Sequence, residues 1–170
     1  MSNIPTPRNI NVLAFMSLLA FSSHANQYVG FNVCIDNEQS VKQIISESGG
    51  TADSYPVATS RYKIETKFYD GKLLSVEIHK AENLSSLLKE KYGQPTQTKM
   101  RDSGYDFYFD EYIDKSNFNI KIEHTWGVYR TYVVSGSLVY TCKNLNEKKI
   151  ADEKRAKEED FKSKNTGKQI

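Results

Sequence analysis

The sequence has few histidines, cysteines and tryptophans, no long apolar run and no marked excess of one charge. Its 170 residues include three histidines, two cysteines and one tryptophan, and no nucleophile-elbow, zinc-protease or phosphate-loop motif is present. We therefore predict no cofactor or metal site. A net charge of +2 gives no concentrated basic surface, so nucleic-acid binding is not expected. No apolar run approaches the ~20 residues of a spanning helix, so we expect no membrane span in the mature chain.

The first 25 residues have the three parts of a secretory signal peptide. Arg8 is the only charge in this segment, an apolar run follows from Val12 to Phe21, and small residues stand at Ser23 and Ala25. The alternatives are a buried N-terminal helix and a membrane anchor, but the run is about half the length that an anchor needs. The pattern predicts a signal peptide over residues 1–25 and an exported, periplasmic or secreted, bacterial protein.

Cys34 and Cys142 are the only cysteines, and they lie near the two ends of the expected domain. In an oxidising compartment an even pair is most simply a disulfide. The alternatives are a redox pair and a metal site, but the chain has no Cys-x-x-Cys spacing and only His79 and His124 follow the predicted cleavage point. We predict a structural disulfide that brings the start of the domain beside its last strand.

The periodicity of apolar residues predicts two helices and six or seven strands. Alternation predicts a strand over 28–34, a hairpin over 62–78 and a meander of three or four strands over 105–142. Helical stripes cover 37–48 and 83–92. The order β-α-β-β-α-β-β-β-β predicts an α+β two-layer sandwich, in which two amphipathic helices cover one face of a mostly antiparallel sheet.

Three local details accompany this fold. We predict Asp36 as the cap of the first helix and Asn83 as the cap of the second. In the hairpin, facing residues must share a side of the sheet. Parity then favours a three-residue loop, 69–71, that pairs Ile64 with Val76. Residues 51–58 have loop composition, and we predict polar turns at 114–117, 127 and 135–137.

The last 27 residues differ in character from the rest of the chain. They carry many charges of both signs, and Ile150 and Phe161 are their only aromatic or large β-branched residues apart from the terminal Ile170. Glu153 and Lys157 have the i,i+4 spacing of a solvated helix. We predict a single globular domain over 26–143 and a charged tail over 144–170 that is partly helical or disordered.

Two sets of residues are candidates for chemistry. An acidic patch occupies one strand and its end, and its alternating partners Phe107 and Phe109 are expected to face the core, which predicts that the patch is a solvated face rather than a cation site. The histidines His79 and His124 are expected to be hydrogen-bonded core or rim residues rather than bases or ligands. The patch consists of Asp106, Asp110, Glu111 and Asp114.

The segment from Trp126 to Tyr132 is a candidate binding face. Trp, Tyr and Arg are enriched at the energetic centres of protein interfaces. The alternative, favoured by strand parity, is that Trp126 packs beneath the helices while the other three residues cover a strand. The candidate residues are Trp126, Tyr129, Arg130 and Tyr132.

These features favour a binding protein over an enzyme. The segments 68–73 and 87–95 resemble segments of small exported bacterial α+β proteins of unknown role. We expect a non-enzymatic exported protein that binds a protein partner, such as an inhibitor, an immunity factor or an envelope or secretion accessory. The alternative is a small periplasmic hydrolase or ligand-binding protein with a site of dispersed residues such as His124 and the acidic patch. A third hypothesis is a structural subunit whose charged tail docks an oligomer.

Overall fold

Six antiparallel strands form the main sheet, and two further strands form a separate hairpin. The computed structural model describes residues 30–166. In chain order the elements are α1 (Glu38–Glu47), β1 (Tyr55–Val57), β2 (Ser60–Tyr62), β3 (Ile64–Tyr69), β4 (Lys72–His79), a 3-10 turn (Glu82–Leu84), α2 (Ser85–Tyr92), β5 (Thr96–Asp102), β6 (Tyr105–Ile113), β7 (Ile120–Tyr129), β8 (Tyr132–Cys142) and α3 (Lys143–Thr166). The strand order in the main sheet is β3-β4-β8-β7-β6-β5, and β1 pairs with β2 in the hairpin.

One face of the sheet, here called the inner face, carries the hydrophobic core. Side chains from α1, the β1–β2 hairpin, the 3-10 turn and α2 pack in one cluster with the inner face of β3, β4, β7 and β8. Burial of this apolar area is the main stabilising contribution to such a domain. The predicted α+β two-layer sandwich is confirmed. Fully buried members of the cluster include Phe31, Leu73, Val76, Ile78, Ile122 and Leu138.

The N-terminal segment differs from the prediction. Residues 30–35 form turns rather than a strand, and residues 28 and 29 lie outside the described part. Cys34 has a left-handed backbone (φ 78°), and the Asp36 carboxylate accepts the Asn32 N–H at 2.6 Å. Because Asp36 closes this turn, it does not cap α1. Asn37 is the cap, and it exchanges hydrogen bonds with Ser40 in a capping box.

The β3–β4 hairpin has a two-residue loop, so the predicted three-residue loop is wrong. Asp70 and Gly71 both have positive φ, as a primed turn requires, and Ile64 pairs with Ile78. With a two-residue loop, the apolar residues of the two strands share one side of the sheet because β4 contains a bulge. Lys67 pairs with Ser75, whereas Phe68 pairs with Leu73. The extra residue lets Leu73 and Leu74 both be buried.

Other predicted turns and caps are also corrected. Residues 127 and 135–137 lie inside β7 and β8 rather than in turns, and the strands reverse instead at Arg130 and Thr131. The turn predicted at 114–117 is confirmed. Asn83 lies within the 3-10 turn and α2 has no side-chain cap, so the prediction that Asn83 caps the second helix is wrong. The expected loop 51–58 contains β1, and β5 was not predicted.

The charged C-terminal segment forms α3, which begins directly after Cys142 and continues to Thr166. Leu145 is buried in the core cluster. The Lys148 ammonium pairs with Asp70 in the β3–β4 loop, and the Tyr69 hydroxyl donates to Asp152 at 2.6 Å. The base of α3 is therefore docked on the hairpin. No helix among residues 30–166 is long and apolar enough to cross a bilayer; the predicted signal peptide lies outside the described residues.

Docking of α3 predicts a late-titrating tyrosine. The hydrogen bond to Asp152, together with burial and nearby negative charge, raises the pKa of Tyr69 from 10 to about 12. Because the folded pKa lies above the unfolded one, this bond stabilises docking fully below about pH 10 and the contribution is lost as the pH approaches 12. We expect Tyr69→Phe to remove one late transition from a tyrosinate absorbance titration.

A second tyrosine provides the internal control for that titration. Burial raises the pKa of Tyr112 to about 12 as well, and Tyr112 lies on β6, away from α3. Its late transition should therefore persist in the Tyr69→Phe protein. An unchanged number of late transitions after the substitution would contradict the docking of α3 through Tyr69.

Candidate functional site

The outer face of the sheet, opposite the core, carries an exposed aromatic surface at the end formed by the β5–β6 and β7–β8 turns. Large apolar side chains are normally buried, so a cluster left in solvent is informative. Met100 is 52% exposed, Phe109 is 41% exposed and Tyr132 is 71% exposed. We define this aromatic outer surface as Met100, Tyr105, Phe107, Phe109, Tyr129 and Tyr132.

Strand pairing brings these side chains together from four strands. Met100 on β5 lies opposite Phe107 on β6, and Tyr105 lies opposite Tyr129 on β7. The ring centroids of Tyr105 and Tyr129 are 4.8 Å apart, and those of Tyr105 and Phe107 are 6.0 Å apart. Tyr129 in turn pairs with Tyr132 on β8. Alternate residues of neighbouring strands thus form one continuous patch.

A shallow groove crosses the same part of the sheet. It has a volume of about 350 Å³, and its walls include Phe107, Phe109, Thr125 and Ser137. The Thr125 and Ser137 hydroxyls are hydrogen-bonded at 3.0 Å. The groove therefore combines aromatic side chains with a pair of hydrogen-bonded hydroxyls.

The structure corrects the prediction that the acidic patch is a solvated face. Parity separates Asp106 and Asp110 from Phe107 and Phe109 as predicted, but the sides are reversed: the phenylalanines face outward and Asp110 is buried, with 2% exposure. Asp114 is also buried, at 3% exposure. Glu111 is exposed, as predicted for the whole patch, and Asp106 is half-buried. The solvated-face interpretation is therefore wrong for the two buried carboxylates.

The structure brings together three of the four predicted binding-face residues. Tyr129, Arg130 and Tyr132 surround the β7–β8 turn, and the Arg130 guanidinium lies 5.4 Å from the Tyr129 ring centroid. Trp126 lies on the opposite, inner face, where it stacks on Tyr108 with ring centroids 4.1 Å apart. The β6 residues of the surface escape sequence analysis because an alternating aromatic strand has the pattern of a core strand.

A buried polar network occupies the inner face directly behind the surface. The Asp110 carboxylate accepts hydrogen bonds from Gln97 Nε2 at 2.6 Å and from Trp126 Nε1 at 2.9 Å. His124 Nε2 lies 2.9 Å from the Ala81 carbonyl oxygen, which can only accept, so Nε2 carries a proton. Its Nδ1 faces Asp110 Oδ2 at 3.5 Å. The network joins β5, β6 and β7 to the segment before the 3-10 turn.

Burial limits the chemistry that this network can perform. The side chains of His124 and Asp110 are 0% and 1% exposed, so no substrate can contact the imidazole in this structure. His124 is a hydrogen-bonded core residue, as predicted. His79 lies at the rim, 3.8 Å from both Glu65 and Glu77. Residues 30–166 contain no group of side chains suited to hold a metal ion.

The predicted disulfide is confirmed. Cys34 and Cys142 are bonded, with Cα atoms 5.2 Å apart. The Cys34 N–H donates to the Leu73 carbonyl at 2.9 Å, and the Asn119 amide contacts the Cys34 sulfur at 3.3 Å. The bridge lies at the opposite end of β8 from the aromatic outer surface, because Cys142 ends β8 and Tyr132 begins it. The disulfide therefore constrains the end of the sheet that lies away from the aromatic outer surface.

Comparisons with protein-family models, with curated proteins and with solved structures find no match to this chain.

Proposed function

We propose that this protein is an exported, non-enzymatic bacterial protein that binds a protein partner through the aromatic outer surface. The observation that carries the proposal is the continuous patch of exposed and half-buried tyrosine, phenylalanine and methionine side chains across four strands. Interfaces are enriched in these residue types, and they lie on a rigid sheet that needs little ordering on binding.

Export is supported by two independent features. The first 25 residues have the composition of a signal peptide. The Cys34–Cys142 disulfide is compatible with an oxidising compartment. An inhibitor, an immunity factor or an envelope or secretion accessory would each use a rigid binding face on a disulfide-stabilised domain. The hydrolase alternative has less support, because its candidate base, His124, is completely buried.

A matched pair of variants tests the proposed surface. Phe109 lies on the aromatic outer surface, whereas Phe118, 66% exposed, lies in the turn at the other end of β6. We expect Phe109→Ser to lower capture of the partner from native envelope extracts by at least about tenfold, since a central aromatic contact contributes ~2 kcal/mol or more. Phe118→Ser should leave capture unchanged. Crosslinking with the oxidised mature protein and mass spectrometry of the products measures both.

The outcomes separate the proposal from its alternatives. Equal capture by the wild type and both variants would show that the surface is not the binding site. If the only crosslinked product is a second copy of this chain and the Phe109→Ser protein becomes monomeric in solution, the surface is a self-association interface and the proposal of a different partner is wrong.

A further inference from the structure

The two edge strands of the sheet, β3 and β5, differ in how far other parts of the chain occupy their unpaired edges. An unpaired edge exposes a row of backbone N–H and C=O groups, and proteins commonly block it. At β3, the Ile64 N–H donates to the Ala52 carbonyl at 2.7 Å, and Tyr69 is held by Asp152 of α3. The bulge beyond Lys67 also distorts the pairing of this hairpin. The β3 edge is therefore partly occupied.

Among residues 30–166, the β5 edge has no backbone contact, helix contact or bulge of this kind, and the charged residues Lys99 and Arg101 are its one protective feature. All seven of its residues are exposed, and its register with β6 is continuous from Thr96 to Asp102, with no bulge. It contains no proline, since Pro95 precedes the strand. In an antiparallel ladder, alternate residues direct their N–H and C=O groups away from the neighbouring strand. A straight seven-residue edge is thus available for another strand.

The two sides of β5 have different chemistry. Lys99 and Arg101 lie on the inner side, where the one carboxylate of Asp106 contacts both, at 3.0 and 3.8 Å. This leaves an uncompensated positive charge on that side. On the outer side, Met100 belongs to the aromatic outer surface and lies opposite Phe107. The other outer-side residues of β5 are Thr96, Thr98 and Asp102, so Met100 is the one apolar side chain that this strand contributes there. A strand added to β5 would place alternate side chains against a cationic side and against a mixed side that contains Met100.

We infer that an extended segment of the protein partner adds to β5 as a seventh strand, with acidic residues facing Lys99 and Arg101 and apolar residues facing Met100. This inference rests on the proposed function, and it specifies the kind of partner segment involved. Main-chain hydrogen bonds supply affinity in such strand addition, and alternate side chains supply specificity. The apolar side chains of the segment would continue the aromatic outer surface across the edge.

A designed peptide probes the edge directly. The probe is the capped heptapeptide Thr-Val-Glu-Val-Glu-Val-Thr, in which valines and glutamates alternate. Added to the oxidised mature protein, it should slow hydrogen exchange of alternate β5 amides by at least about tenfold and leave the β3 amides unchanged, since a formed hydrogen bond protects its amide. Replacing both glutamates by lysine should weaken binding at least about tenfold through like-charge repulsion.

Two further variants identify the contacts. Methylating alternate peptide nitrogens on the edge that faces β5 should weaken binding by about tenfold or more through lost main-chain hydrogen bonds. Arg101→Glu should favour the lysine peptide over the glutamate peptide. Arg101 is highly exposed and lies 3.8 Å from the Asp106 carboxylate, so its substitution should not disturb the fold. An unchanged unfolding midpoint of the Arg101→Glu protein is the control for this.

Several results would overturn the inference. These are unprotected β5 amides at saturating peptide, equal binding of the methylated peptide, no preference for glutamate, or a free protein that is already dimeric with protected β5 amides. If Phe109→Ser abolishes partner capture while β5 stays unprotected, the proposed surface stands and only the strand addition is wrong. If the peptide adds to β5 while Phe109→Ser captures normally, the proposed function fails.

Discussion

Asp110→Ala is expected to lower the free energy of unfolding by about 2–4 kcal/mol, because the carboxylate accepts hydrogen bonds from two side-chain donors and a buried donor left without its acceptor costs about 1–3 kcal/mol. The substitution leaves three groups facing a cavity: the Gln97 amide, the Trp126 indole N–H and the His124 ring. The His124 ring is completely buried and cannot regain water in the folded state, and the Trp126 indole is half-buried, whereas the Gln97 amide is exposed and can be hydrated. The loss is a large fraction of the 5–15 kcal/mol typical of a domain.

Urea unfolding of two companion variants defines the cause. Asp110→Asn keeps the size and one acceptor oxygen, so its loss should be smaller than that of Asp110→Ala. Glu123→Ala removes a carboxylate on the same pair of strands that is exposed and lies 2.8 Å from Lys121; an exposed pair of this kind contributes about 1 kcal/mol at most. A destabilisation by Asp110→Ala no larger than that of Glu123→Ala would contradict the network.

Reduction of the disulfide is expected to produce the second large effect. The bridge closes a loop with a sequence separation of 108 residues, and chain-entropy arithmetic gives a stabilisation of up to about 4–5 kcal/mol for such a loop. Cys34 also has a left-handed backbone, a conformation that a non-glycine residue adopts only when its surroundings hold it. We therefore expect the reduced protein to unfold at much lower urea concentration than the oxidised one.

The Cys34→Ser, Cys142→Ser double variant is the control for this experiment. It should unfold with the midpoint of the reduced wild type and should not respond to reductant. Intact-mass measurement confirms the redox state in each sample. A wild-type midpoint that is unchanged by reductant, with both thiols shown to be free, would contradict a stabilising role for the bridge.

The sequence predicts long-range features better than it predicts which side of the sheet is covered. The cysteine pair, the two amphipathic helices and the antiparallel sheet all follow from counting and periodicity. The alternation in β6 correctly separates Asp110 from Phe107 and Phe109, but it does not show which of the two sides faces the core. The helices and the β1–β2 hairpin pack on the side of the sheet that carries Asp110, so the carboxylate lies within a network that four other residues complete and the aromatic side lies in solvent.

Local errors have equally specific causes. A bulge at Leu74 changes parity within one strand, so the loop length of the hairpin cannot be read from the flanking alternation. β5 has no buried residue and hence no apolar signal, and its strand conformation comes from pairing with β6. Asp36 and Asn37 are both good helix caps, and the turn that Asp36 closes with Asn32 decides between them.

The position of the disulfide also determines how the domain responds to mechanical force. All eight strands lie between Cys34 and Cys142, and α3 starts at the next residue. Tension applied between residue 30 and the C-terminal end of α3 would pass through one sulfur–sulfur bond and bypass the sheet. Pulling at these two points could lengthen the described part of the molecule only by straightening α3 and residues 30–33, while the strands stay paired.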